Sequence, residues 1–393
     1  MKKLGSALLF VGMLVGATSP AHADVWKAEN SWSTTWEDRY SKWVEAEWTQ
    51  DVFKRGPLEG LETDCADATY AMRALFAQQN RLPFQVTTRE GKVVSQSTSR
   101  FDDRKLETDR FRTFLKYVFD ETNTKTLAND TYPIAMQRSS LRPGTLYLAT
   151  GEHSYQVTSL SQYGVPVLLS STTPIANRVL FRMSSFPFYR PETKDARDGY
   201  RAFRWPNEVG LNVRKISRAS FEQYAISGNV MEFAEAAKKR LAVSIEPLDE
   251  QIDRQLTNIC YFTRERAYGV VQAYLALTKK SDRCFSASER DEYSTEIRDS
   301  RIKDYFQLFR SLRDDPRWSD LRSAQKQKFL AVFIKDVPEV SDLCRIPLGI
   351  PDPVDLSLYD VWQATRDAKL VPDPTVSIRA RWGLEPAVSM CRR

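Results

Sequence analysis

Cysteine placement constrains this chain more than any other feature. Cys260, Cys284, Cys344 and Cys391 lie from residue 260 onward, while Cys65 stands alone near the front. Whether these thiols pair depends on the compartment, and the N-terminus bears on that. The chain begins MKKLGSALLFVGMLVGATSPAHAD: two lysines, an apolar run from Leu4 to about Gly16, then Ala21-His22-Ala23 in a small-x-small cleavage pattern. This predicts a secretory signal peptide over residues 1–23, because the apolar run is too short to span a bilayer. No cysteine follows the expected cleavage point, which argues against a lipoprotein anchor. No later stretch approaches the ~18 consecutive apolar residues of a transmembrane helix. The mature chain, 393 − 23 = 370 residues from Asp24, is therefore expected in the periplasm or outside the cell. In such an oxidising compartment four grouped cysteines predict two disulfides. Cys260–Cys284 with Cys344–Cys391 is the simplest of three pairings, and it leaves Cys65 as a free thiol.

The histidines are fewer still. Of the two, His22 belongs to the expected signal peptide, so His153 is the single imidazole of the mature chain. One histidine with dispersed cysteines does not supply a zinc site. Neither GxxxxGK[ST] nor GxGxxG occurs, and no metal or cofactor is expected. Ser323-Ala324-Gln325-Lys326 matches SxxK without its companion motifs and reads as an exposed helix face. The formal charge is +6, or +4 without Lys2 and Lys3. That gives no argument for nucleic acid, and is compatible with anionic surfaces or carboxylate-bearing substrates.

Along the chain, SWSTTWEDRYSKWVEAEWTQDVF (31–53) spaces Trp32, Trp36, Tyr40, Trp43 and Val44 as a helix, with Ser31 as its N-cap. That aromatic stripe suits core packing better than a sugar platform. A second helix is predicted from Cys65 to about Asn80, capped by Thr63 or Asp64, and a third over Phe111–Phe119. LYLAT, HSYQVTSL and VPVLLSST, separated by turns, predict an antiparallel meander with His153 opening its second strand; VLFRM (179–183) adds a further strand. Residues 184–208 read as an irregular covering segment. Arg178, Arg182, Arg190, Arg197, Arg201 and Arg204 gather around it, either as a solvated basic surface or as a grip for carboxylates. From about Ile216 the pattern is helical. The predicted organisation is an α+β unit over 24–210 and a helical, disulfide-stabilised unit over 211–393.

A thiol in the first turn of a helix gains from the backbone dipole and free amides, and a neighbouring imidazole would complete its activation. Asp64 and Asp67 oppose that shift. This order of features resembles the papain-like superfamily. TDCAD resembles the Asp-Cys-Ser-Gly turn of NlpC-like and CHAP cell-wall amidases, and RPGTLYLATGEHSYQV their Pro-Gly-Asp-strand-His segment. AMRALFAQQNRLPFQV resembles transglutaminase-like domains instead. The resemblance covers roughly residues 60–175 and implies a papain-like fold with Cys65 as nucleophile and His153 as base. Its third position falls at Ser171 or Thr172, hydroxyls where the family places Asp, Asn or His. The implied activity is that of a secreted cysteine-dependent amide hydrolase or acyl transferase acting on peptidoglycan peptides. The alternative is a non-catalytic cell-envelope binding module of the same fold.

Overall fold

The computed structural model describes residues 24–192, 195–335, 337, 344–349 and 354–392. The signal peptide expected over 1–23 lies outside the described residues. The front of the chain holds α1 (Thr34–Glu47), α2 (Cys65–Gln79), a hairpin of β1 (Gln85–Thr87) and β2 (Val93–Ser95), α3 (Glu107–Glu121) and short α4 (Thr124–Leu127). Ser33 rather than Ser31 caps α1, its hydroxyl accepting from the Trp36 amide. The aromatic stripe of α1 packs inward, with Tyr40 and Trp43 at 5.1 and 5.5 Å from the Phe76 ring of α2.

α2 is buried on every side from Cys65 to Ala77. Ala66, Ala68, Ala71, Ala74 and Ala77 make this possible, since small side chains let neighbouring elements approach a central helix closely. The helix packs on a sheet of β3 (Thr131–Pro133), β4 (Leu146–Ala149), β5 (His153–Leu160), β6 (Pro166–Ser170), β7 (Phe181–Ser184) and β8 (Gly199–Phe203). The strand order is β3-β8-β4-β5-β6-β7 and all pairings are antiparallel. The expected meander is β4-β5-β6, with β7 added at the edge. β8 was hidden in the segment read as irregular covering. Arg201 interrupts its apolar pattern, yet it is 1% exposed and bonded to Thr131 Oγ1 and to the carbonyls of Ala128, Thr131 and Ala196.

The rear contains α5 (Val230–Leu241), α6 (Leu248–Thr278), α7 (Ala287–Tyr293), α8 (Glu296–Ser311), α9 (Ser323–Leu330), a hairpin of β9 (Arg345–Pro347) and β10 (Asp355–Ser357), α10 (Leu358–Arg366) and α11 (Ile378–Arg381). The chain is thus α+β, with an antiparallel sheet and a helical C-terminal region. Both sheet faces are covered. Leu146, Leu148, Leu169 and Phe203 join the front core beside α2. Tyr147, Tyr155, Leu168, Met183 and Tyr200 join a second core with α6 and α8. That second core runs from Tyr132 to Trp382, so it crosses residue 210, where the change to a helical pattern suggested a boundary.

The disulfides are Cys260–Cys344 and Cys284–Cys391, correcting the simplest pairing, and Cys65 is free. The reason is helical geometry. α6 continues to Thr278, which puts Cys260 about 27 Å from the helix end at 1.5 Å per residue, beyond reach of Cys284. β9 packs on α6 instead and brings Cys344 alongside Cys260.

Candidate functional site

Asp64 caps α2 as the sequence suggested. It accepts from the Asp67 amide at 2.9 Å, and Asp67 accepts from the Asp64 amide at 2.9 Å, a reciprocal capping box. Both carboxylates therefore sit at the thiol's own turn. Cys65 is buried, and its carbonyl accepts from Ser154 Oγ at 2.8 Å and Thr69 Oγ1 at 2.9 Å. Thr69 Oγ1 also meets Ser154 Oγ at 3.0 Å and accepts from Gln156 Nε2 at 2.7 Å. The first turns of α2 are thereby stitched to β5. Burial pushes the thiol up to about 12, with the Asp64 charge acting in the same direction.

The residues of β5 that face α2 are Ser154 and Gln156. Strand alternation then turns His153 and Tyr155 to the opposite face. Their rings lie 4.4 Å apart, and Tyr155 belongs to the core shared with the rear helices. His153 is surrounded by charge from Arg301, Arg298 and Arg178. The sheet thus separates the expected nucleophile from its expected base. Ser154 occupies the position that faces Cys65, and its hydroxyl cannot act as an imidazole.

The expected third member divides in the same way. Ser171 faces the front, donating to the Thr63 carbonyl at 2.8 Å and receiving a bond from Thr63 Oγ1 at 3.1 Å. Thr172 faces the rear and accepts from Arg298 Nη2 at 2.9 Å. Cys65 and Ser171 lie on one side, His153 and Thr172 on the other. The expected Cys65, His153 and Ser171 are therefore not brought together on one face: one residue of register in an alternating strand exchanges the faces.

Comparison with protein-family models, with curated proteins and with solved structures finds no match to this chain. The site's own chemistry is therefore what speaks.

On the His153 side lies a cavity of about 280 Å³, lined by Thr172, Thr173, Tyr189, Glu265, Arg298 and Arg301, with acidic side chains at its mouth. Arg298 also donates to the Thr173 carbonyl at 2.7 Å and pairs with Glu265 at 3.5 Å. Arg301 bonds the Tyr189 hydroxyl. Arg178, from the basic cluster seen in the sequence, is buried against the Tyr268 ring at 4.8 Å. Others of that cluster serve the backbone: Arg197, Arg201 and Arg204 donate to carbonyls. Sequence reasoning missed Arg298 and Arg301, although a signal was present. With Ile302 and Tyr305 they occupy i, i+3, i+4 and i+7 of α8, the inward stripe, where arginine is out of place unless it is used. Among the described residues no group of three or more His, Cys, Asp or Glu side chains could hold a metal ion.

His153 is held neutral. Burial first, then the charges of Arg301, Arg298 and Arg178, keep its pKa well below 6.5. The unfolded chain takes up a proton below about pH 6.5 that the folded chain refuses, so this group's contribution to stability falls as pH drops below that value. The loss is at most ~1.4 kcal/mol per pH unit. Denaturant titrations at pH 7.5, 6.5 and 5.5 should therefore show wild type losing stability relative to His153→Gln toward acid. Parallel curves would contradict a depressed His153.

Proposed function

We propose that the chain is a non-catalytic binding module of the cell envelope, a papain-like arrangement of helix and sheet that seats a peptide ligand beside His153. The observation that carries this reading is the division of polar residues by the sheet. Cys65 is buried among hydrogen-bonded hydroxyls with no imidazole on its face among the described residues, whereas the cavity lies on the other face. A buried thiol without a base is a packing residue. The two disulfides fit an oxidising compartment, and among the described residues no helix is long and apolar enough to cross a membrane. Peptidoglycan peptides are the ligand class favoured by the resemblance over residues 60–175.

The test is co-sedimentation of the purified protein with peptidoglycan sacculi, with the soluble fraction analysed by mass spectrometry. Wild type and Cys65→Ala should sediment equally and release no peptide. Peptide release that depends on Cys65 would restore the amidase reading.

A further inference from the structure

The floor of the His153 cavity carries more positive than negative charge. Arg298 and Arg301 line it, and Arg178 is close enough to depress the same imidazole. Glu265 is the carboxylate that all three guanidinium groups feel: it pairs with Arg298 at 3.5 Å and acts on Arg178 and Arg301. Arg298 and Arg301 against Glu265 leave an excess of one positive charge on the floor, with the buried Arg178 guanidinium nearby. Burying unpaired charge is costly unless an opposite charge arrives. The deficit is visible in the hydrogen bonding too. Arg178 is 3% exposed, and its Nε and Nη1 have no hydrogen-bond partner; Arg298 Nε meets only the Glu265 carboxylate, at 3.5 Å. The mouth has the opposite sign. Glu152, Asp291, Glu292 and Glu296 line it, from the β4–β5 turn, α7 and the start of α8. A simple anion would be repelled at this mouth, and a simple cation would be repelled by the floor.

We propose that this cavity binds a zwitterion, an α-amino acid or a dipeptide with both termini free. Its carboxylate docks on Arg298 and Arg301, and its ammonium rests among the acids of the mouth. His153, held neutral, adds no further charge to the floor. The volume of about 280 Å³ is at the small end for ligand cavities and suits one or two residues rather than a long chain. This assignment rests on the reading that the His153 face is the binding face.

The test uses alanyl-alanine, its C-terminal amide and its N-acetyl derivative, titrated calorimetrically into the full mature protein. A charge-assisted contact to a buried guanidinium predicts that amidation weakens binding by about 10-fold or more. Acetylation should cost about 2- to 5-fold, because the acids it loses are exposed. Equal affinity of acid and amide would overturn the proposal, as would absence of binding by all three compounds at millimolar concentration. Arg298→Gln should erase the preference for the free acid. Arg298 also ties Thr172 and Thr173 to α8, so a second variant guards against a folding defect. Asp291→Asn with Glu296→Gln changes only exposed side chains. It should reduce the acetylation penalty, Glu152 and Glu292 remaining, and keep the amidation penalty. An unchanged acetylation penalty would overturn the part given to the mouth. Sacculus binding separates the two readings: alanyl-alanine bound without sacculus binding defeats the envelope module and leaves the zwitterion site standing. Sacculus binding by a protein that binds none of the three compounds defeats the zwitterion site alone.

Discussion

Iodoacetamide at pH 8 should leave Cys65 of the folded protein unmodified while an ordinary free thiol is consumed. A thiol pushed up to about 12 carries on the order of 10⁻⁴ thiolate at that pH, against roughly a quarter for a thiol near 8.5. The rate should therefore fall by about 10³-fold before burial of the sulfur is counted. Competing effects at the helix start decide this. The α2 dipole favours the thiolate by about 0.3–1 kcal/mol, less than one pKa unit. Desolvation and the Asp64 and Asp67 charges act the other way, and their net shift from 9.0 to about 12 is larger. His153→Ala should not change the reaction, because that imidazole lies across the sheet. In denaturant all of the Cys65 should react quickly. Rapid labelling of the folded protein with a midpoint below pH 8.5, slowed by His153→Ala, would reinstate the nucleophile.

Local patterns were readable in the sequence, whereas facing relationships were not. TDCAD announced a capped helix start, and Asp64 is that cap. The turns that separate LYLAT, HSYQVTSL and VPVLLSST announced the meander, and His153 does open β5. Order along the chain does not by itself decide which side chains face one another. Cysteine-helix-histidine is an order along the chain, but catalysis needs both side chains on one face, and a strand changes face at every residue. HSYQV alternates His153, Tyr155 and Val157 against Ser154 and Gln156. With a large residue at each odd position, the odd set is the better match to a core face, and polar Ser154 and Gln156 suit the hydroxyl-lined start of α2. The cavity was unreadable for another reason. His153, Glu265 and Arg298 come from β5, α6 and α8, far apart in sequence, and only the packing of α6 on the sheet and of α8 on α6 gathers them. β8 was missed because Arg201 spoils its apolar pattern, and its partners Ala128 and Thr131 are distant in sequence.

Full reduction of the disulfides should lower the melting temperature by on the order of 5 °C per bridge. The sequence separations are 84 and 107, and closing loops of that length constrains the unfolded chain by about 4–5 kcal/mol each. Spread over the unfolding entropy of a chain this long, at about 2 cal/mol/K per residue, each loss becomes a shift of a few degrees. The loops overlap between residues 284 and 344, so the second bridge adds less than the first. Accessibility orders the events. Cys344 is 3% exposed, whereas Cys284 and Cys391 are half-buried near the C-terminus. Cys284–Cys391 should therefore be reduced first as dithiothreitol is raised, with Cys260–Cys344 following only when β9 leaves α6. Alkylation after each reduction step, read by peptide mapping, reports order and connectivity in one experiment. The effect belongs mainly to the rear helices, but Tyr155 and Tyr147 on the sheet share their core. Loosening α6 and α8 should thus open the cavity beside His153 and weaken ligand binding before the front unfolds. A fully reduced protein with an unchanged melting temperature would show that helix packing alone holds the rear.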